Sequence, residues 1–241
     1  MRGILRTDVG LVRKGNEDAA WMDEKRGIFA VADGMGGHLA GEVASSLAIE
    51  SVRKMAEKDD PPEVLDLEMM VRDANRIIAG HAQQHPECTG MGTTLCVLEE
   101  NGRYVFIAHV GDSRIYRFRN GHLEQITRDH SLVAELVRGG IITEEEARVH
   151  PRRNIITRAL GTDGYNEPDI LIINRNESDF WLLCTDGLHG MVPDRVMEEI
   201  LSSGTPDIWA DRLMQAALDA GGTDNITFIL CGGEDSAWNQ G

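Results

Sequence analysis

Three observations predict an α+β fold built on antiparallel sheets. Eight short segments are rich in Val, Ile, Phe and Tyr and are bounded by Gly, Asn or Asp, as strands are. Three longer segments repeat apolar residues at helical spacing. The two kinds do not alternate strictly, which argues against a parallel sheet of βαβ units.

In chain order, strands are predicted at Gly3–Val9 and Ile28–Asp33. Gly41–Lys58 follows as a helix, because Val43, Leu47 and Met55 recur with Ala44, Ala48 and Val52 on one side. Asp59-Asp60-Pro61-Pro62 reads as a turn before a second helix over Glu63–His85. Strands at Thr93–Glu99 and Arg103–Val110 flank Asn101-Gly102, a hairpin signal. Ile115–Arg119 precedes a similar Asn120-Gly121 turn. Thr143 with Glu146 three residues on is a capping box opening a short helix. Strands at Asp169–Asn174 and Asp179–Cys184 come next. A helix over Pro206–Ala220 carries Trp209, Leu213, Ala216, Ala217 and Ala220 on one side, and Asn225–Cys231 is the last strand.

Bulk properties narrow the function. The chain has 241 residues, 41% of them apolar, enough to bury a sizeable core. No repeat, low-complexity tract or Pro/Ser-rich linker divides it, so residues 1–241 are expected to form one domain. The formal net charge of −16 disfavours nucleic acid as a partner, and with it a nuclease reading. No apolar run is long enough to span a bilayer, and the N-terminus lacks a signal-peptide h-region. Cys88, Cys96, Cys184 and Cys231 form no C-x-x-C pair and read as thiols in a reducing compartment. A cytoplasmic monomer with no membrane partner is expected.

Four aspartates share one local context. Asp33, Asp112, Asp186 and Asp224 each sit at the margin of an apolar strand beside Gly or Asn. A single Asp-Gly is explained by turn chemistry. Several strand-end carboxylates can meet at one sheet edge, where they repel one another unless a cation lies between them. Oxygen ligands without clustered Cys or His favour Mg2+ or Mn2+ over Zn2+.

Five segments occur in a fixed order: Arg13-Lys-Gly-Asn-Glu17-Asp18, Asp33-Gly-Met-Gly-Gly-His38, Gly111-Asp112-Ser-Arg114, Thr185-Asp186-Gly-Leu and Gly222-Thr-Asp224-Asn225-Ile-Thr. The chain resembles the metal-dependent protein phosphatases of the PPM (PP2C) type in their compact bacterial form, from about Leu5 to Cys231. The resemblance implies two stacked antiparallel sheets flanked by helices, an α-β-β-α arrangement with metals in a cleft at one end. It implies that Asp33 bridges two Mn2+ or Mg2+ ions, that the Gly34 carbonyl binds one, and that Asp186 and Asp224 hold the other. Asp112 matches a position that helps hold a weaker third ion. Asp18 matches a carboxylate that holds metal-bound waters, with Glu17 in a similar outer role. Arg13, not Lys14, matches the phosphate-binding arginine, whose guanidinium fork suits phosphoryl oxygens.

The implied reaction is hydrolysis of phosphoserine and phosphothreonine on proteins, opposing bacterial Ser/Thr kinases. Ions roughly 3.5–4 Å apart would activate a bridging hydroxide. Eukaryotic members often carry Asp-Gly-His, and this chain has Asp33-Gly34-Met35 instead. His38 or a metal-bound water is left to protonate the leaving alkoxide. Two other readings remain: a phosphatase dedicated to one regulatory partner of the anti-sigma antagonist type, and a non-catalytic phosphoprotein-binding module. The segment 127–166 matches the family's flap. Its Arg148, Arg152, Arg153 and Arg158 read as solvated charge or as a patch that steers anionic substrates. His81, His85 and Cys88 lack an evident fourth ligand for zinc and read as ordinary helix surface. His189 lines the cleft or occupies a turn.

Overall fold

The computed structural model describes residues 1–36, 40–57, 65–165, 167–232 and 238. Among these residues the strands form two antiparallel sheets. The first has the order β1 (Gly3–Asp8), β11 (Ile226–Gly232), β10 (Phe180–Cys184), β7 (Arg114–Arg119) and β8 (His122–Gln125). The second runs β2 (Asp18–Asp23), β3 (Ile28–Met35), β5 (Leu95–Asn101), β6 (Tyr104–Val110) and β9 (Asp169–Asn174), with the short β4 (Gly92–Thr93) paired to the end of β3.

Side chains alternate between the two faces of each strand, and here both faces of the central strands are buried. Phe29, Val31, Leu98 and Ile107 of the second sheet meet Ile115, Trp181, Leu183 and Ile229 of the first. The opposite face of the second sheet, with Ile28, Ala30 and Val97, packs on α1 (Ala40–Ala56) and α2 (Leu67–Gln84) through Ala44, Ala48, Val52, Met70 and Ile78. The outer face of the first sheet, with Tyr116, Leu182 and Phe228, packs on α6 (Asp194–Leu201) and α7 (Pro206–Asp219) through Met197, Trp209 and Leu213. The layers are therefore α-β-β-α, as expected. Burial on both faces explains why Ile28–Ala32 and Phe180–Cys184 are unbroken apolar runs.

The three long helices fall where periodicity places them. Asp66 caps α2, its side chain accepting from Met69 N–H. The Thr143–Glu146 capping box is present and opens α4 (Glu144–Arg148). The turn at 59–62 lies outside the described residues. One hairpin turn differs by a residue. Asn101 pairs with Tyr104, so the loop is Gly102-Arg103, with only Gly102 at positive φ (58°). That is the pattern of a type II′ turn. At the other, Asn120 and Gly121 both have positive φ, as a type I′ turn requires.

The elements without a strong sequence signal are β2, β8, α3 (Leu132–Arg138), α5 (Asp186–His189) and α6. They are short. β2 is a half-buried edge strand framed by aspartates, and α3 has no fully buried residue, so neither needs a clear apolar period. All four cysteines are buried and free.

Trp181 is the largest fully buried side chain, between the sheets. Trp181→Ala should lower unfolding stability by about 3–5 kcal/mol in urea titration. A loss below about 1 kcal/mol would contradict the assignment of this core.

Candidate metal centre

Strand order brings the aspartates together. β3 and β6 run parallel to each other across β5, so Asp33 and the Gly111-Asp112 turn lie at the same end of their sheet. β10 leads into Asp186 at the same end from which β11 departs after Asp224, because those strands are antiparallel neighbours. Asp18 faces Asp33 as a cross-strand pair. Gly187 draws two of the turns into contact: a Cβ there would lie 1.9 Å from the Asn225 carbonyl oxygen. Gly34 does the same between the loop at Glu17 and α1, since a Cβ there would lie 2.1 Å from the Gly41 carbonyl oxygen. These glycines are packing requirements.

Threonines fix the acids. Thr94 Oγ1 accepts from Asp33 N–H at 2.9 Å. Thr185 Oγ1 donates to Asp18 Oδ2 at 2.9 Å and accepts from Thr227 N–H. The crowding shows in the acidities of this metal-free chain. Burial pushes Asp33 well above the usual carboxylate range, and Asp18, Asp186, Asp112 and Asp224 push it further. Burial raises Asp18 to about 8, with Asp186 and Asp224 adding to it. Burial and then Asp186 raise Asp112 to about 8. Burial and then Asp224 raise Asp186 to about 6. One oxygen each of Asp112 and Asp186 (Oδ1) is buried without a hydrogen-bond partner. Buried orphan acceptors among mutually repelling carboxylates lack a positive ligand. The donors are all oxygen, which fits a hard divalent cation.

The loop before β2 closes over this cluster. Asn225 ties it down: its Nδ2 donates to the Val9 and Gly15 carbonyls, and its Oδ1 accepts from Glu17 N–H. Burial raises the Glu17 carboxyl above its ordinary range. Arg13 is half exposed, and its Nη2 donates to Asp224 Oδ2 at 2.8 Å. Arg13, Lys14, Glu17, Glu42 and Asn225 line an open cleft of about 380 Å³. Asp18, Asp33, Asp112, Asp186 and Asp224 thus come together, with Glu17 and Arg13 at the rim. His38 lies outside the described residues.

The sequence predicts no role for Asn225, Thr94 or Thr185 themselves. A lone Thr or Asn beside a turn carries no distinguishing pattern, although Asn225 follows Asp224 directly. His189 proves buried. Its Nε2 donates to the Asp112 carbonyl at 3.0 Å, and burial followed by Arg114 lowers its pKa to about 3. It braces Asp112 as a neutral ring. His81 and His85 stack at 4.1 Å between centroids while Cys88 is buried. Of the four arginines read as a steering patch, Arg148 pairs with Asp194 and Arg158 with Asp169, while Arg152 and Arg153 are exposed.

The raised carboxyls set a pH dependence. Their folded-state pKa values of about 6 to 8 exceed the unfolded value of about 3.9. The folded chain therefore holds more protons than the unfolded one between those limits. The corresponding stability is complete below about pH 4 and is lost as pH rises through 6 to 8. In chelator, Tm by calorimetry should fall between about pH 5 and 8.5, and Mn2+ should raise Tm most at the upper end. A flat or rising Tm in chelator would contradict the crowding.

A family model described as Protein phosphatase 2C matches residues 13–220. The serine/threonine phosphatase stp of Listeria innocua is 42% identical over 239 residues, covering 95% of each chain. The serine/threonine protein phosphatase PstP of Mycobacterium tuberculosis is 40% identical over 241 residues, all of this chain and 46% of that protein. The crystal structure of the PstP catalytic domain in complex with two manganese ions superposes with a TM-score of 0.88 at 40% identity, over 97% of this chain and 98% of that one.

Proposed function

This chain belongs to the protein phosphatase 2C family, and from that premise we propose that its five clustered aspartates form the metal centre of a serine/threonine protein phosphatase. The protein hydrolyses phosphoserine and phosphothreonine on proteins. The observation that carries the assignment to this cluster is the pair of buried, unpartnered oxygens on Asp112 and Asp186 amid like charges. The two manganese ions in the PstP domain support Mn2+ or Mg2+ as the cofactor, two ions per chain.

Asp33 would bridge both ions, the Gly34 carbonyl would bind one, and Asp186 with Asp224 the other. Asp112 would serve a third, weaker ion. Asp18 and Glu17 would orient the inner set, as outer partners of metal sites do. When bound, the ions supply charge neutralisation and activation of the attacking water. The rest falls to the chain. Arg13 Nη2 already donates to Asp224, which leaves the remaining guanidinium N–H groups for phosphoryl oxygens. The water oxygen bonds to phosphorus as the bond to the serine or threonine oxygen breaks. Inorganic phosphate leaves and the alkoxide takes up a proton, for which His38 is the candidate donor. The buried thiols take no part. A complete carboxylate set favours catalysis over a binding-only module.

The substrates are phosphorylated proteins. The finer reading is a monomeric cytoplasmic enzyme that opposes a cognate Ser/Thr kinase, with one phosphatase domain over 1–241 and a flap at 127–166. Among the described residues no helix is long and apolar enough to cross a membrane. Nothing in the acidic balance invites nucleic acid.

Hydrolysis of a phosphothreonine peptide tests the assignment. It should require Mn2+, stop with chelator and fall to background in Asp33→Asn and Asp186→Asn. Full turnover in chelator would refute it. Arg13→Lys should lower kcat/KM about 10- to 100-fold, the equivalent of about 1.5–3 kcal/mol for a charge-assisted hydrogen bond. An unchanged kcat/KM would remove Arg13 from the site. Because Arg148 and Arg158 are already paired, Arg152 and Arg153 are the members of the named patch left for steering. Their joint change to Gln should raise KM for a phosphoprotein and leave KM for an aryl phosphate unchanged; equal effects on both would dismiss steering.

A further inference from the structure

Apart from the aspartate cluster, the described residues hold one other grouping of metal-type side chains. His109, His130 and Asp169 each place a ligand atom within 4.8 Å of the others. The hydrogen bonds show how this grouping is wired. His130 Nδ1 accepts from Gly111 N–H at 3.1 Å. Its ring proton therefore sits on Nε2, 3.3 Å from Asp169 Oδ2. A metal on Nε2 would have to displace that proton while Nδ1 still accepts, which would leave an imidazolate. Arg158 Nη1, 3.4 Å from Asp169 Oδ1, already supplies a positive charge. His130 and Asp169 therefore form a hydrogen-bonded strut, while His109, whose Nε2 donates to the Ser113 carbonyl at 3.0 Å, keeps a buried Nδ1 without a partner.

The strut spans two functional parts. His130 N–H donates to the Gly111 carbonyl at 2.8 Å, so one residue holds both backbone polar groups of Gly111. The His130 carbonyl accepts from Thr157 N–H at 2.8 Å, and Ser131 bridges Ile156, which ties in the returning limb of 127–166. Gly111 has φ +106°, and a Cβ there would lie 2.5 Å from Thr94 Cγ2. The next residue is Asp112. Burial pulls the His130 pKa below its ordinary value, which keeps Nδ1 an acceptor.

We propose that His130 is a positioning residue that couples the 127–166 segment to the aspartate cluster by holding the Gly111-Asp112 turn through Nδ1. The effect on metal use rests on the phosphatase reading above; the effect on the turn does not. Two substitutions separate the ring acceptor from bulk. His130→Leu removes the acceptor, while His130→Asn can offer Oδ1 to Gly111 N–H.

The first measurement is amide exchange of the metal-free full chain by NMR. Gly111 should exchange at least about tenfold faster in His130→Leu, the equivalent of one hydrogen bond of about 1–1.5 kcal/mol. It should stay within about threefold of wild type in His130→Asn. The second is the Mn2+ requirement. In His130→Leu the Mn2+ concentration for half-maximal phosphopeptide hydrolysis should rise about tenfold or more, as for outer partners of metal ligands, with KM for peptide within about twofold. Asp112→Asn should raise it too, and adding His130→Leu should then change little. A protected Gly111 amide in His130→Leu, equal exposure in both variants, or a raised KM with an unchanged Mn2+ requirement would overturn the proposal. If His130→Leu fails to fold, His130→Asn decides, since loss of Gly111 protection in that variant alone contradicts the role. A wild-type chain without Mn2+-dependent turnover would end the phosphatase reading and leave the exchange result to judge the strut.

Discussion

Four buried carboxylates, with Asp224 a fifth at their exposed edge, repel one another, and much else in this fold follows from tolerating that. Burial and mutual repulsion together drive Asp33, Asp18, Asp112 and Asp186 toward the protonated form in the metal-free chain. A structural role alone does not account for such an arrangement, because apolar residues would pack there at lower cost. A divalent cation converts the same geometry from a liability into a binding site. The metal-free chain is therefore poised: the acids are held in place by strands and threonines before any ion arrives.

Rigid elements carry that preorganisation. Paired strand ends deliver the aspartates, and close backbone contacts at Gly34 and Gly187 set the distances between turns. Asn225 joins the cluster to the Arg13 loop, so the arginine proposed to bind phosphate and the proposed ligands share one support. His189 and His130 support the Asp112 turn from two other sides. Positioning groups of this kind act through the ligands and not on the substrate.

Much of this was legible in the sequence. The long helices and most strands follow from periodicity, because each buries an apolar face against the sandwich. Asp33, Asp112, Asp186 and Asp224 were legible because each sits at the margin of an apolar strand beside a turn residue, and Asp18 through the family resemblance. The hairpin at 101–104 slipped by one residue because Asn-Gly and Gly-Arg can both supply the required positive φ. The supports were not legible. Thr94, Thr185, Asn225 and His130 act through hydrogen bonds to residues distant in sequence, and a single chain carries no local trace of those partners. β2 was hidden because an edge strand with aspartates at both ends lacks alternation strong enough to read.

Anomalous scattering at the manganese edge, from crystals of this chain grown with Mn2+, tests the central claim most directly. The account predicts two strong peaks beside Asp33, one toward the Gly34 carbonyl and one toward the Asp186–Asp224 pair, a weaker one beside Asp112, and none at His109, His130 and Asp169. An absence of density among the aspartates, or manganese seated on the histidines instead, would contradict it.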